Sequence, residues 1–373
     1  MSNQKKSLPT TSTTSTTSTA STTTWECVDQ NNQKWKLPAV PHFILAGTQK
    51  GGTSALRDFL VQHPQMIASQ QFEPHFFDQK LQRYLKNKYH STTTSTIQPQ
   101  WLCDVQRQYI QSTFHSKMLE RVLQNNTDGY LFYEKTPSYL VDPTVPALIH
   151  QICPWKPKIV VLLRDPIQRA FSHYKMEREK KNVKQSFTSL VNQELQRLRE
   201  LGLTRAPPIP IEPEQPQEPQ DLTLASTHLY DDKDPFQIPP LQLSNAATAI
   251  HQHLAQNYSH TNFLQRGMYA IQLQWWLPYF GRDSLLVLRF EDLQQDPAQT
   301  VRQVLQFLGA PPLPLDVDYH KTYRTRGQYR KKGMVHPPIP NQTRAYLERF
   351  FQPHNQLLSE LLGEDYYRHD LID

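Results

Sequence analysis

The stretch Gly47-Thr48-Gln49-Lys50-Gly51-Gly52-Thr53-Ser54 follows an apolar run, Phe43-Ile44-Leu45-Ala46, and leads into an amphipathic segment. A glycine-rich turn between a strand and a helix suits a phosphate, because backbone N–H groups close on the anion and the helix N-terminus adds partial positive charge. An ATP-binding P-loop places its lysine after the last glycine, next to a hydroxyl that holds Mg²⁺. Here Lys50 precedes Gly51 and Gly52. The amides of Gly51, Gly52, Thr53 and Ser54 are candidates to wrap one phosphate, with Lys50 on its far side. A tight turn alone would need a single glycine.

A second candidate loop follows the most apolar run, Ile159-Val160-Val161-Leu162-Leu163, and reads Arg164-Asp165-Pro166, with Arg169, Ser172 and Tyr174 beyond. Arginine binds phosphate oxygens through a planar fork, and Ser172 adds a hydroxyl further along the same helix. The alternative for Arg164 is a structural bridge to Asp165 or Glu134. Two phosphate loops on neighbouring strands point to a nucleotide with phosphates at both ends.

These loops require elements to hold them. Short apolar runs alternating with amphipathic stretches predict an α/β fold, a single P-loop-like domain with a central parallel sheet flanked by helices. Strands are expected over residues 42–46, 130–133, 158–163 and 284–289. Helices are expected over 53–62, 166–201, 262–280, 297–308 and 342–362. Ligands of such sheets sit beyond the carboxyl ends of the strands, where both loops fall. Residues 8–24 are nearly all Ser and Thr, so residues 1–38 are expected to form a disordered tail and lead-in to a domain over 39–370. A Pro-rich insertion is expected over about 203–245.

The 373 residues are 37% hydrophobic and carry a net charge of +6. The basic residues are dispersed, which argues against nucleic acid as a partner. No window of about 18 apolar residues exists, so no membrane span is expected, and a cytoplasmic location follows. Cys27, Cys103 and Cys153 lack CxxC spacing, and the expectation is buried, reduced thiols with neither a disulfide nor a zinc site. Of 15 scattered histidines, His251 and His253 come nearest to ligand spacing, so no metal is expected.

Taken together, Gly47 to Leu56, Glu73-Pro74-His75-Phe76-Phe77-Asp78, Glu134-Lys135-Thr136-Pro137-Ser138-Tyr139, and Arg164-Asp165-Pro166 through Tyr174 resemble the PAPS-dependent sulfotransferases in order and spacing. The resemblance is to the heparan sulfate 3-O- and N-sulfotransferase type and its bacterial relatives. It continues through Gly267-Met268-Tyr269, the run Arg289-Phe290-Glu291-Asp292-Leu293, and Lys332-Gly333. It implies PAPS as cofactor and PAP as product. Lys50 through Ser54 would bind the 5′ phosphosulfate, Arg164 and Ser172 the 3′ phosphate, and Lys332 and Gly333 would close over the cofactor. Glu73 would be the general base, supported by His75 and Asp78, with Lys135 on the substrate side. The acceptor expected is a hydroxyl, or an amine, of a small polar natural product, with an oligosaccharide or glycolipid as alternative. A non-catalytic nucleotide-binding protein, which would not need Glu73, is the alternative from another class. The chain lacks the cysteine pair that such relatives carry near the C-terminus, and no anchor is apparent.

Overall fold

A computed structural model of the protein describes residues 24–91, 96–125, 129–210, 234–236, 262–313, 319 and 336–363. A parallel sheet forms its centre, in the order β4-β5-β3-β6-β7. The strands are β3 (Phe43–Gly47), β4 (Met66–Ala68), β5 (Leu131–Lys135), β6 (Lys158–Leu163) and β7 (Leu285–Arg289). β3 pairs in parallel with β5 on one side and β6 on the other, with Phe43 opposite both Tyr133 and Lys158.

The central strands are buried on both faces, which explains their unbroken apolar runs. Phe43 and Leu45 join Val160 and Leu162 on one face, packed against α1 (Thr53–Leu60), α9 (Phe290–Gln295) and α10 (Pro297–Leu308). Ile44 and Ala46 join Ile159, Val161 and Leu163 on the other, beneath α3 (Leu102–Thr113), α5 (Val145–Ile152) and α8 (Tyr269–Phe280). A third apolar cluster gathers α6 (Pro166–Lys181), α7 (Phe187–Glu200) and α11 (Asn341–Leu362). The chain leaves β3 toward β4 and β5 on one side and reaches β6 and β7 on the other. The crevice beyond β3 and β6 is thus the switch point where such sheets bind ligands.

Besides the helix expected over 262–280, which begins only at Tyr269 after a single 3-10 turn at Gln265–Gly267, three expectations need revision. The helix predicted over 166–201 breaks in two. Asn182 takes the left-handed conformation that ends α6, with φ 55°, and Ser186 caps α7 by accepting from the Ser189 N–H. An antiparallel hairpin, β1 (Thr24–Val28) and β2 (Lys34–Pro38), lies in the stretch read as lead-in. The third revision concerns the cysteines. Cys27 of the hairpin and Cys103 of α3 form a disulfide, with Cα atoms 5.5 Å apart across a separation of 76 residues. Arg107 of α3 also stacks 3.3 Å over the Trp35 ring. The pairing escaped the spacing rule because tertiary docking of the hairpin onto α3 creates it. Cys153 alone is a buried, free thiol.

Most of the Pro-rich insertion, and His251 and His253, lie outside the described residues.

Candidate active site

The glycine-rich turn joins β3 to α1 as expected, and it needs its glycines for packing as much as for an anion. A Cβ on Gly51 would stand 2.6 Å from the Leu162 carbonyl oxygen, and one on Gly52 would stand 2.3 Å from the Phe290 ring. Gly52 also has φ 91°, which L side chains rarely adopt. Lys50 itself is in the left-handed region, with φ 69°. One expectation changes: the Gly51 N–H is turned to the Thr48 carbonyl at 2.9 Å instead of facing outward. The first-turn amides of α1, from Thr53 and Ser54 onward, have no intrahelical acceptor and remain suited to an oxyanion.

The second loop is bound to the first. Arg164 donates to the Lys50 carbonyl at 3.3 Å and lies 4.6 Å over the Phe290 ring, so one phenyl group buttresses both Gly52 and Arg164. Asp165 caps α6, accepting from the Gln168 N–H at 2.7 Å, and its own N–H donates to Glu291 at 2.9 Å. The Tyr269 hydroxyl donates to the Arg164 carbonyl at 2.8 Å. The distant motifs around 269 and 290 therefore fix the loop backbone. Ser172 is half-buried partway along α6. Arg169 is fully buried and donates to the carbonyls of Gln49 and Phe263, a role in holding the turn.

Positive charge concentrates here. Burial, with Lys180, Arg164 and Lys175 nearby, pulls the Lys50 ammonium down to about 8, against the opposing pull of Glu179. Lys175 and Lys180 of α6 were not singled out by sequence, because only the packing of α6 beside the turn brings their charge to Lys50.

The acceptor-side candidates converge around Glu73. Lys135, at the end of β5, reaches Glu73 Oε1 at 2.7 Å and Ser54 Oγ at 3.4 Å, and lies 3.6 Å over the Phe72 ring. His75 lies between two carboxylates, with Nε2 3.4 Å from Glu73 and Nδ1 3.0 Å from Asp78. Ser138 donates to Asp78 at 2.6 Å. Burial would raise the Glu73 carboxyl, but the His75 hydrogen bond and the Lys135 charge bring it down to about 2. Burial likewise opposes a charge on His75, yet Asp78 and Glu73 lift the imidazole to about 9. Burial outweighs Glu73 at Lys135 and lowers its ammonium. Near neutrality His75 is protonated and donates from both ring nitrogens. Glu73 is thus also the ion-pair partner of Lys135.

Glu134 does not bridge to Arg164. It is fully buried and accepts hydrogen bonds from Tyr109 at 2.5 Å, Thr136 at 3.1 Å and Tyr139 at 3.2 Å. A charged residue inside an apolar strand was the available sign that it is special.

Lys332, Gly333 and Tyr323 lie outside the described residues; Trp275 and Trp276 are buried. Among the described residues no group of three or more His, Cys, Asp or Glu is placed to hold a metal, and no helix is long and apolar enough to cross a membrane.

Residues 40–344 match the sulfotransferase domain family. Heparan sulfate glucosamine 3-O-sulfotransferase 6 from Homo sapiens is 26% identical over 340 residues, which cover 87% of this chain and 73% of that protein. Bifunctional heparan sulfate N-deacetylase/N-sulfotransferase 3, also from Homo sapiens, is 26% identical over 339 residues but only 30% of that protein is covered. A sulfotransferase from Alicyclobacillus acidocaldarius shares the fold, with a TM-score of 0.50 at 21% identity, covering 87% of this chain and 97% of that one. With that family's model matching well over half of its length, the chain belongs to the sulfotransferase domain family and is a sulfotransferase.

Proposed function

We propose that the protein moves the sulfuryl group of PAPS to a hydroxyl of a small polar natural product, releasing PAP. An oligosaccharide or glycolipid is the second acceptor candidate; the curated relatives are named for heparan sulfate. One observation carries the reading: Lys135 touches both Ser54 of the phosphate turn and Glu73. The group that would accept a proton and the loop that would hold the leaving group are one side chain apart.

The roles follow from charge. The acceptor O–H attacks sulfur in line with the departing phosphate oxygen. The new S–O bond forms as the old one breaks, the proton passes to Glu73, and negative charge collects on the phosphate beside Lys50 and the α1 amides. A carboxylate held at about 2 is a weak base while both cations sit on it. A phosphosulfate on the turn offers Lys135 a second anion, drawing it from Glu73 and restoring basicity when the donor is in place. Arg164 and Ser172 would take the 3′ phosphate; Lys332 and Gly333, which the resemblance adds to the cofactor contacts, lie outside the described residues.

A cytoplasmic location belongs to the proposal on the strength of the sequence. The Cys27–Cys103 bond bears against it, since cytosolic thiol pools keep cysteines reduced. Alkylation of thiols in intact cells decides between the two.

The main test incubates the purified protein with PAPS and extract of its source organism, then searches by mass spectrometry for products heavier by one SO₃. A sugar-free product establishes the first acceptor class and a glycan product the second. Absence of PAP binding by calorimetry would overturn both.

A further inference from the structure

We propose that Glu134 is a positioning residue for the acceptor side: its carboxylate, acting through the hydroxyls of Thr136 and Tyr139, sets the backbone of residues 75–77 and so aims the His75 ring between Glu73 and Asp78.

Three consecutive amides are held by those two hydroxyls. The His75 N–H donates to Thr136 Oγ1 at 3.4 Å, and the N–H groups of Phe76 and Phe77 donate to the Tyr139 hydroxyl at 3.0 and 3.4 Å. Both hydroxyls in turn donate to Glu134 Oε2, while Tyr109 of α3 occupies Oε1. An ionised carboxylate is acceptor-only, so it forces each hydroxyl to point its hydrogen inward and its lone pairs toward the amides. The segment so held is not one the chain would adopt unaided. His75 has φ 52°, left-handed for a side chain with a Cβ, and it opens a π-helical turn, Phe76–Lys80. That turn carries Asp78, the partner of His75 Nδ1.

The arrangement is sensitive to protonation. The titratable groups facing Glu134 are Tyr109 from α3, Tyr139 after β5, Cys153 after α5 and Asp78 of the π-helical turn. Burial keeps the two phenols and the thiol protonated far above neutrality. Burial also pushes the Glu134 carboxyl up to about 7, against the pull of its three hydroxyl donors. Protonation converts one acceptor into a donor and breaks the polarity of the chain of bonds.

The consequence for turnover rests on the proposed sulfuryl transfer, but the test does not, because it uses the free protein. Amide-resolved hydrogen exchange, corrected for intrinsic rates, is followed at pH 8 and pH 6 without donor or acceptor. Wild type is expected to lose about tenfold protection at residues 75–77 on going to pH 6, with the amides of β3 and β6 unchanged. Glu134→Gln places donors where only an acceptor fits; it should show the low protection already at pH 8, with no pH dependence. Should that variant not fold, Thr136→Val is expected to release the His75 amide alone, and Tyr139→Phe those of Phe76 and Phe77. Wild-type protection at these amides in the variants, or a loss shared equally with β3 and β6, overturns the proposal. Failure of PAP to bind would leave the exchange result standing.

Discussion

The two halves of the crevice are built in opposite ways. The half proposed to hold the donor is local: residues 47–54 form one strand-to-helix junction and residues 164–172 another, each running directly off a strand. The acceptor half is assembled from a distance. Glu73 meets Lys135 across 62 residues, Asp78 meets Ser138 across 60, and Tyr139 holds amides 62 and 63 positions away. Charge is organised differently too. Around Lys50 burial and the nearby cations lower the ammonium against the pull of Glu179, whereas Glu73, His75, Asp78 and Lys135 pair with one another. Donor binding should therefore depend on adding charge, and acceptor chemistry on rearranging charge already present.

The largest effect that tests this contrast is expected from Lys50→Ala. Its loss would remove the cation proposed to face the leaving phosphate, and kcat/KM should fall about 10³-fold, with weaker PAP binding by calorimetry. Glu73→Gln should act only on the other half. We expect kcat to fall about 10² to 10³-fold while PAP affinity stays within about twofold of wild type. If Glu73→Gln weakened PAP as strongly as Lys50→Ala, the halves would not be separable.

A smaller effect separates them by pH. Lys50 titrates at about 8 in the free protein, below the ordinary lysine value, so the ammonium is present below pH 8 and lost above it. PAP affinity is therefore expected to decline by about tenfold between pH 7 and 9, because one cation is worth roughly one such factor at a half-buried site. His75 stays protonated to about 9. Between about pH 8 and 9, where the Glu134 carboxyl is ionised and His75 is still charged, the acceptor half should hold its geometry while the donor half loses affinity. Calorimetry of PAP binding from pH 7 to 9, repeated on Lys50→Arg, checks the assignment: arginine should abolish the decline.

The same contrast explains what could be read in advance. β3 and β6, buried on both faces, announce themselves as apolar runs, and the turns after them contain their own chemistry within a few residues. The edge strand β4 is three residues long and has no periodicity to detect. α3 and α5 escaped because their apolar faces are completed by tertiary partners. The stop at Asn182 and the cap at Ser186 were present in the sequence, but the charged run between Lys175 and Lys184 has the look of one continuous solvated helix. Glu73, His75, Asp78 and Lys135 could be named only through resemblance. Nothing local in 73–78 or 134–139 says that they meet, and although a charge within β5 marks Glu134 as unusual, its bonding partners follow only once α3 and β5 are packed.

The Cys27–Cys103 bond gives the smallest expected effect on activity and the sharpest on stability. It ties β1 to the start of α3, two turns before Tyr109, the residue on Glu134 Oε1. A loop closed across 76 residues restricts the unfolded chain, and loop-entropy arguments put the contribution at about 4 kcal/mol. Yet the hairpin has another anchor on α3, Arg107 stacked over Trp35, so the folded arrangement should survive without the bond. Cys27→Ser with Cys103→Ser is therefore expected to lower the thermal midpoint by several degrees. Both halves should still work in the cold, with kcat and PAP affinity within about twofold of the oxidised protein. If kcat alone fell below that range while PAP affinity held, α3 would have to be counted among the elements that set the acceptor half, and the contrast would extend from the crevice to the N-terminal hairpin.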